Sequence, residues 1–232
     1  PIPVATNYEF APVKVTRRQA TVIHPPVYGP GWIIGNGCCA NLNAHRSVVW
    51  PVNGKIHVAE RFAIDFSQLN AADRYLEGPA DQLTSSPAYG ADVHAVADGT
   101  VVSVRDDIPE TPAGVAPHGL TLEEGGGDQI TLAIGHGRYA FYGHLQHGSI
   151  SVHKGQRVKV GQTIARLGNS GNSNAVHLHF HVMNGPLWAA SNGVPYRFTE
   201  FDVVGKVVGE RPESELVIDP TDHGSRHDEL PL

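Results

Sequence analysis

The chain has 232 residues and a formal net charge of −6, from 17 Lys and Arg against 23 Asp and Glu with His neutral. That acidic balance, with no Lys/Arg cluster, argues against a nucleic-acid partner. No apolar run approaches the ~18–20 residues of a membrane span. With 41% hydrophobic residues the chain can bury a core, and 26 Gly and 17 Pro beside 7% aromatics point to turns and short strands rather than long helices.

Residues 1–30 carry Pro1, Pro3, Pro12, Pro25, Pro26 and Pro30 and read as an extended arm. No signal peptide is visible from Pro1 onward. Cys38 and Cys39 are adjacent, which strains a mutual disulfide and argues against a disulfide framework; a structural role is expected. The strand-like part begins near Trp32. Ser47–Val52 and Lys55–Ala59 flank Asn53-Gly54, the strongest short hairpin signal, and the second arm continues through the alternating Arg61–Phe66. Residues 67–92 are polar and irregular. Val93–Ala97 and Thr100–Val104, joined by Asp98-Gly99, read as a second hairpin. Residues 105–127 form a long Pro- and Gly-rich loop, a length that in a compact domain is usually functional or disordered.

Ile130–Ile134 and Tyr139–His144 read as a third hairpin, followed by short strands at Ser149–Val152, Arg157–Val160 and Thr163–Leu167. After the turn Gly168–Asn172 comes Val176–Val182, and after Phe201 one more apolar run, Val203–Val208. Evenly spaced short strands predict an all-β fold, an antiparallel sandwich or barrel-sandwich hybrid with long surface loops. The expected organisation is an arm at 1–30, a main domain at 31–208 and a polar tail at 209–232.

His177-Leu178-His179-Phe180-His181 is the most informative stretch. In a strand, side chains at i, i+2 and i+4 share one face. Three imidazoles would then line one side while Leu178 and Phe180 pack on the other. Imidazole is the commonest metal ligand and titrates near neutral pH, so one ring can bind a cation while a neighbour handles protons.

Arg61-Phe62-Ala63-Ile64-Asp65, Tyr142-Gly143-His144-Leu145, the Val152–Ala165 run of Gly-punctuated turns, Gly168-Asn169-Ser170-Gly171 and His177-Leu178-His179-Phe180 follow one another in order. In this order, over about residues 61–182, the chain resembles the lysostaphin/LytM-type zinc endopeptidases, which cut peptide bridges in bacterial cell walls. The resemblance implies that Asp65 and His179 are zinc ligands and that His144 and His177 are non-ligand catalytic histidines. It further implies a zinc-activated water that attacks the amide, a peptidoglycan peptide as substrate, and a secreted, periplasmic or cell-envelope location. A monomer is expected.

The family usually takes a further ligand from a His four residues before the Asp, and here that residue is Arg61, a permanent cation and a poor ligand. His45 and His57 are the candidates to replace it. If residues 57–65 form one extended strand, His57 lies about 26 Å from Asp65 at roughly 3.3 Å per residue, beyond reach. A two-residue hairpin at Asn53-Gly54 pairs Val52 with Lys55, and the same register carried back sets His45 opposite Phe62, beside Arg61. His45 is therefore the expected third ligand.

Other roles are weighed beside these. Asp65 can form a strand-face ion pair with Arg61. His181 reads as backing the site or facing substrate. Tyr142 can polarise a carbonyl or simply pack. His94, His118, His136, His147 and His153 read as solvated, and the loops at 67–92 and 105–127 are expected to wall the substrate groove. Two other functions remain. One is a degenerate cell-wall-binding or hydrolase-activating module that has lost a ligand. The other is a biotinyl/lipoyl-type carrier, against which stand the absence of a lysine in the Asn169–Asn172 turn and the unexplained histidine row.

Overall fold

The computed structural model describes residues 19–37, 43–199, 201–206 and 216–219; Cys38, Cys39, residues 1–18 and 220–232 lie outside them. Among the described residues the ordered elements are short strands and single 3-10 turns, with no α-helix. The strands are β1 (Thr21–Ile23), β2 (Trp32–Gly35), β3 (Trp50–Val52), β4 (Lys55–His57), β5 (Ile64–Gln68), β6 (Asp92–His94), β7 (Gly99–Arg105) and β8 (Asp128–Gly135), then β9 (Arg138–Leu145), β10 (Arg157–Val158), β11 (Thr163–Arg166), β12 (Leu178–Met183), β13 (Tyr196–Phe198), β14 (Asp202–Lys206) and β15 (Leu216–Asp219). The fold is all-β. Its main sheet runs β10-β7-β8-β9-β12-β5-β2-β15-β14 and is antiparallel, while β1 and β13 form a short parallel pair.

The centre of that sheet positions the site. Phe180 of β12 pairs with Ile64 of β5 and Tyr142 of β9, and with Leu178, Val182 and Phe66 they form one buried apolar face. Each such large side chain contributes roughly 1.5–3 kcal/mol of burial, which fixes strand register: a slip by one residue would put the histidines into the core. With this register His179 stands opposite Asp65 on one side and Gly143 on the other, and His181 opposite Phe141, all on the second face. Tyr142 faces the core, fully buried, where its hydroxyl accepts a hydrogen bond from the Val96 N–H at 3.0 Å. It therefore packs and does not reach a substrate.

Several expectations are corrected. The β3–β4 hairpin forms in the expected register, but its ladder stops at Trp50↔His57. Residues Ala59–Phe62 wind into a 3-10 turn instead of extending the strand, so neither the extended spacing of His57 from Asp65 nor a strand pairing of His45 with Phe62 exists. β6 and β7 do not pair with each other: Asp98-Gly99 splits the chain between two sheets, β6 joining β11 and β7 lying between β10 and β8. Residues 149–152 form no strand. β14 and β15, on either side of residue 209, pair with each other.

Candidate active site

Asp65 is a buried carboxylate at the middle of the sheet, and four side chains converge on it. His45 Nε2 lies 3.3 Å from Oδ2, His179 Nδ1 3.3 Å from Oδ1, and His177 Nε2 3.6 Å from Oδ1; the Asn36 amide donates to Oδ2 at 2.8 Å. One ligand atom each from His45, Asp65 and His179 fall within 4.8 Å of one another. Arg61 is not among them: exposed on the 3-10 turn, its guanidinium lies 5.9 Å from the Phe62 ring centre, so the alternative Arg61–Asp65 ion pair does not form.

His45 arrives from a turn rather than a strand. The Asn43 side chain accepts the Arg46 N–H at 2.7 Å and shapes that turn. His45 Nδ1 then lies 3.0 Å from the Asn36 carbonyl and 3.1 Å from the Ala63 carbonyl. Carbonyls only accept, so Nδ1 carries a proton, and Nε2 is the nitrogen that faces Asp65. Such outer hydrogen bonds fix the tautomer and orientation of a metal-binding imidazole. His179 turns the other way: Nδ1 faces Asp65, and Nε2 lies 3.0 Å from His181 Nδ1. His181 is completely buried and stacks on Phe141 at 4.9 Å, so it backs His179 and does not face substrate.

His144 reaches the site through a break in the strand alternation. Strict alternation after Tyr142 and Gly143 would send His144 back to the core face. Instead β9 bulges against β8 between the Asp128↔Leu145 and Ile130↔Tyr142 pairs, and His144 adopts φ +60°. A non-glycine residue there is uncommon and costs on the order of 1–3 kcal/mol, strain that clusters at functional sites. The twist brings its ring centre 4.7 Å from that of His177, with Nδ1 2.8 Å from the Ser170 carbonyl. Gly143 allows the close approach: a Cβ there would lie 3.0 Å from the Phe141 ring and 3.2 Å from the Gly126 carbonyl.

Electrostatics follow from this crowding. Burial pushes the Asp65 carboxyl up, but the charges of His177 and His45 and the hydrogen bonds from His179 and His45 outweigh it and hold the group well below its usual range. Burial pushes His45 down, and the Asp65 carboxylate reverses this, raising its pKa to about 9. His144 is held well below the ordinary imidazole value by burial and then by His177 and His179; His181 is likewise lowered, by burial and then by His179 and His45.

The cluster sits in a cleft of about 800 Å³ whose lining includes Trp50, Trp188 and Ala116–Leu122. Of the two loops expected to wall it, 105–127 contributes and no residue of 67–92 does. No Lys or Arg is among its lining residues.

Residues 83–195 match the model described as peptidase family M23. The matched stretch is just under half of the chain. Among solved structures, the catalytic domain of the antimicrobial peptidase lysostaphin from Staphylococcus simulans is similar at 23% identity, over 72% of this chain and 85% of that one, with a TM-score of 0.36. Against whole lysostaphin the chain spans 47% of that protein's length. The catalytic domain of the prophage-encoded M23 protein EnpA from Enterococcus faecalis matches at 18% identity over 80% and 94% of the two chains, TM-score 0.39. The complex of SpoIIIAH and SpoIIQ matches at 17% over 71% and 94%, TM-score 0.44.

The M23 match takes in His144, His177 and His179, while His45 and Asp65 lie upstream of it. Sequence reasoning missed Asn36, which bonds both Asp65 and His45. The available signal was an Asn between Gly35 and Gly37, a pattern suited to the left-handed φ of +51° that Asn36 adopts. It also gave no role to Ser173, or to Asn169 and Ser170 beyond their place in the Gly168-Asn169-Ser170-Gly171 motif that carries the resemblance.

Proposed function

We propose that this chain is a zinc-dependent endopeptidase that hydrolyses peptide cross-links of bacterial peptidoglycan, acting as a monomer in a secreted, periplasmic or cell-envelope setting. The observation that carries the reading is the convergence of His45 Nε2, the Asp65 carboxylate and His179 Nδ1 within 4.8 Å at the floor of an open cleft. The donor set fits a zinc ion: two imidazole nitrogens and one carboxylate, the mixture zinc accepts in three-ligand catalytic sites. Asp65 Oδ1 is buried and faces only imidazole nitrogens, His179 Nδ1 at 3.3 Å and His177 Nε2 at 3.6 Å, neither in good hydrogen-bond geometry, so a cation would satisfy it. When bound there, zinc supplies Lewis-acid polarisation of the scissile carbonyl and of a water.

The protein's own groups do the rest. His144 is kept neutral by burial, and its Nδ1–H is committed to the Ser170 carbonyl, so Nε2 is bare and can accept a proton from the attacking water. His177 donates Nδ1–H to the Ala175 carbonyl at 2.7 Å and turns Nε2 toward Asp65. Charged, it stabilises negative charge on the carbonyl oxygen; it can also return a proton to the leaving amine. Trp50 and Trp188, edge-to-face at 5.7 Å, give one wall a rigid apolar surface for a peptide backbone.

A second reading, a wall-binding module without activity, draws on Arg61 at the family's usual ligand position. Elemental analysis and a muropeptide digest with and without chelator separate the two. One zinc per chain and chelator-sensitive cleavage are expected; peptidoglycan binding without zinc or cleavage supports the second reading and overturns the first.

A further inference from the structure

The 3-10 turn Ala59–Phe62 sends two opposite charges to different places. Ala59 is fully buried, and its carbonyl packs against Gly193, where a Cβ would lie only 2.5 Å away. Gly193 N–H donates to the Val58 carbonyl at 3.0 Å, Arg61 N–H to the same carbonyl at 3.2 Å, and Ala63 N–H to the Glu60 carbonyl at 2.9 Å. These bonds fix the turn. Glu60, half-buried, lines the cleft. Arg61, the next residue, is exposed, lies with its guanidinium 5.9 Å from the Phe62 ring centre, and is not among the lining residues.

Asp65 and Glu60 are the carboxylates of the cleft lining. Asp65 is committed to Asn36, His45, His177 and His179. Glu60 is not committed. Among the described residues it forms no ion pair, and no Lys or Arg of the lining balances it. It stands close to the proposed metal ligands: burial lowers the His45 pKa, Asp65 reverses this, and the Glu60 charge adds to that reversal. An unbalanced carboxylate in a partly desolvated cleft repels a second carboxylate and accepts hydrogen bonds from amides and ammonium groups.

We propose that Glu60 is a specificity-determining residue: it makes the cleft reject peptides with a free carboxylate on a residue flanking the scissile bond, and take those in which that residue is uncharged, amidated or cationic. The effect on cleavage rests on the proposed peptidase function; the charge preference in binding does not. Discrimination of this kind is a difference of affinities produced by a repulsive element. Like charges several ångströms apart at a partly wet site set the disfavoured peptide back roughly 10-fold.

The test uses a pair of synthetic cross-linked muropeptides that differ only in a carboxylate or a carboxamide on the residue supplying the leaving amine. Binding to the full chain is followed by tryptophan fluorescence in the presence of chelator, and cleavage is measured in parallel with zinc added. Wild type should bind the carboxamide about 10-fold more tightly at low salt. In 1 M salt, where screening acts over ~3 Å, the preference should shrink to within about 2-fold. Glu60→Gln should bring it to within about 2-fold at low salt, and Glu60→Asp should keep most of it. The ratio between the paired peptides cancels any uniform effect of a substitution on folding or on His45. A wild-type ratio within about 2-fold, a preference that survives in Glu60→Gln or in 1 M salt, or binding of neither peptide overturns the proposal. The expected ratios in a chain that cleaves neither peptide leave the charge selection standing and overturn the peptidase function alone.

Discussion

In the proposed metal site a proton and a zinc ion would compete for the same lone pair on His45. Its Nε2 sits 3.3 Å from the Asp65 carboxylate, and although burial works against the imidazolium, that carboxylate raises its pKa to about 9. Zinc binding must displace this proton, so apparent affinity climbs with pH until His45 titrates. With a pKa of about 9, the bound proton weakens zinc binding roughly 300-fold at pH 6.5 and about 10-fold at pH 8, from the fraction of free base. The rise between those two values is therefore about 30-fold, or ~2 kcal/mol. An imidazole at its ordinary ~6.5 would give only about 2-fold over the same range. Competition titrations against a zinc-binding dye at several pH values measure this directly. Proton release in weak buffer, about one per zinc from His45 near pH 7.5, gives an independent count. Zinc affinity that changes less than about 3-fold from pH 6.5 to 8 would refute the placement of a charged His45 on Asp65.

His179→Ala should lose zinc and activity together, whereas His144→Ala should keep stoichiometric zinc and lose turnover by something like 10²–10⁴-fold; zinc analysis beside a muropeptide digest distinguishes them. Metal-free protein should become less stable as pH rises, because a raised folded pKa for His45 gives stability that is present below ~6.5 and lost on passing through about 9. The loss is at most about 3 kcal/mol, and chelated samples followed by thermal melting should show Tm falling, not rising, across that range. Gly171→Ala should cost at least 1–3 kcal/mol and abolish activity, since Gly171 has φ +75° and a Cβ would sit 2.3 Å from the Gly127 nitrogen; an unchanged melt and rate would show that the turn does not hold the histidines.

Period-two patterning was enough to put His179 and His181 on the face opposite Leu178 and Phe180, whereas their link to Asp65 was implied only by the resemblance. Leu178, Phe180 and Val182 alternate with His179 and His181, and the apolar set must face the core, so the polar face follows. The same rule misplaces His144. Its position depends on a bulge and a left-handed φ, and bulges carry no period-two signature. Asp98-Gly99 is a good turn signal, yet a turn fixes only where the chain reverses. Whether the two arms then pair depends on which sheet offers each a better partner, and here β11 and β8 are those partners. Polar loops are ambiguous for a similar reason: nothing in their composition says which of 67–92 and 105–127 borders the cleft.

The route to His45 shows how a right neighbour can be reached by a wrong path. Extending the β3–β4 ladder past Trp50 assumed that Ala59–Phe62 stays in a strand. Those residues instead turn helically, which swings Arg61 into solvent and leaves its guanidinium beside the Phe62 ring. A ligand from position 61 would need that turn undone. His45 needs no such change, because the Asn36 and Ala63 carbonyls hold its Nδ1–H and aim Nε2 at the carboxylate. Asn36 serves both partners at once, its carbonyl accepting from His45 and its amide donating to Asp65. The approach of His45 to Asp65 is thus a matter of local anchoring, not of strand register. Two backbone carbonyls and one asparagine suffice to bring an imidazole from a different segment to the Asp65 carboxylate.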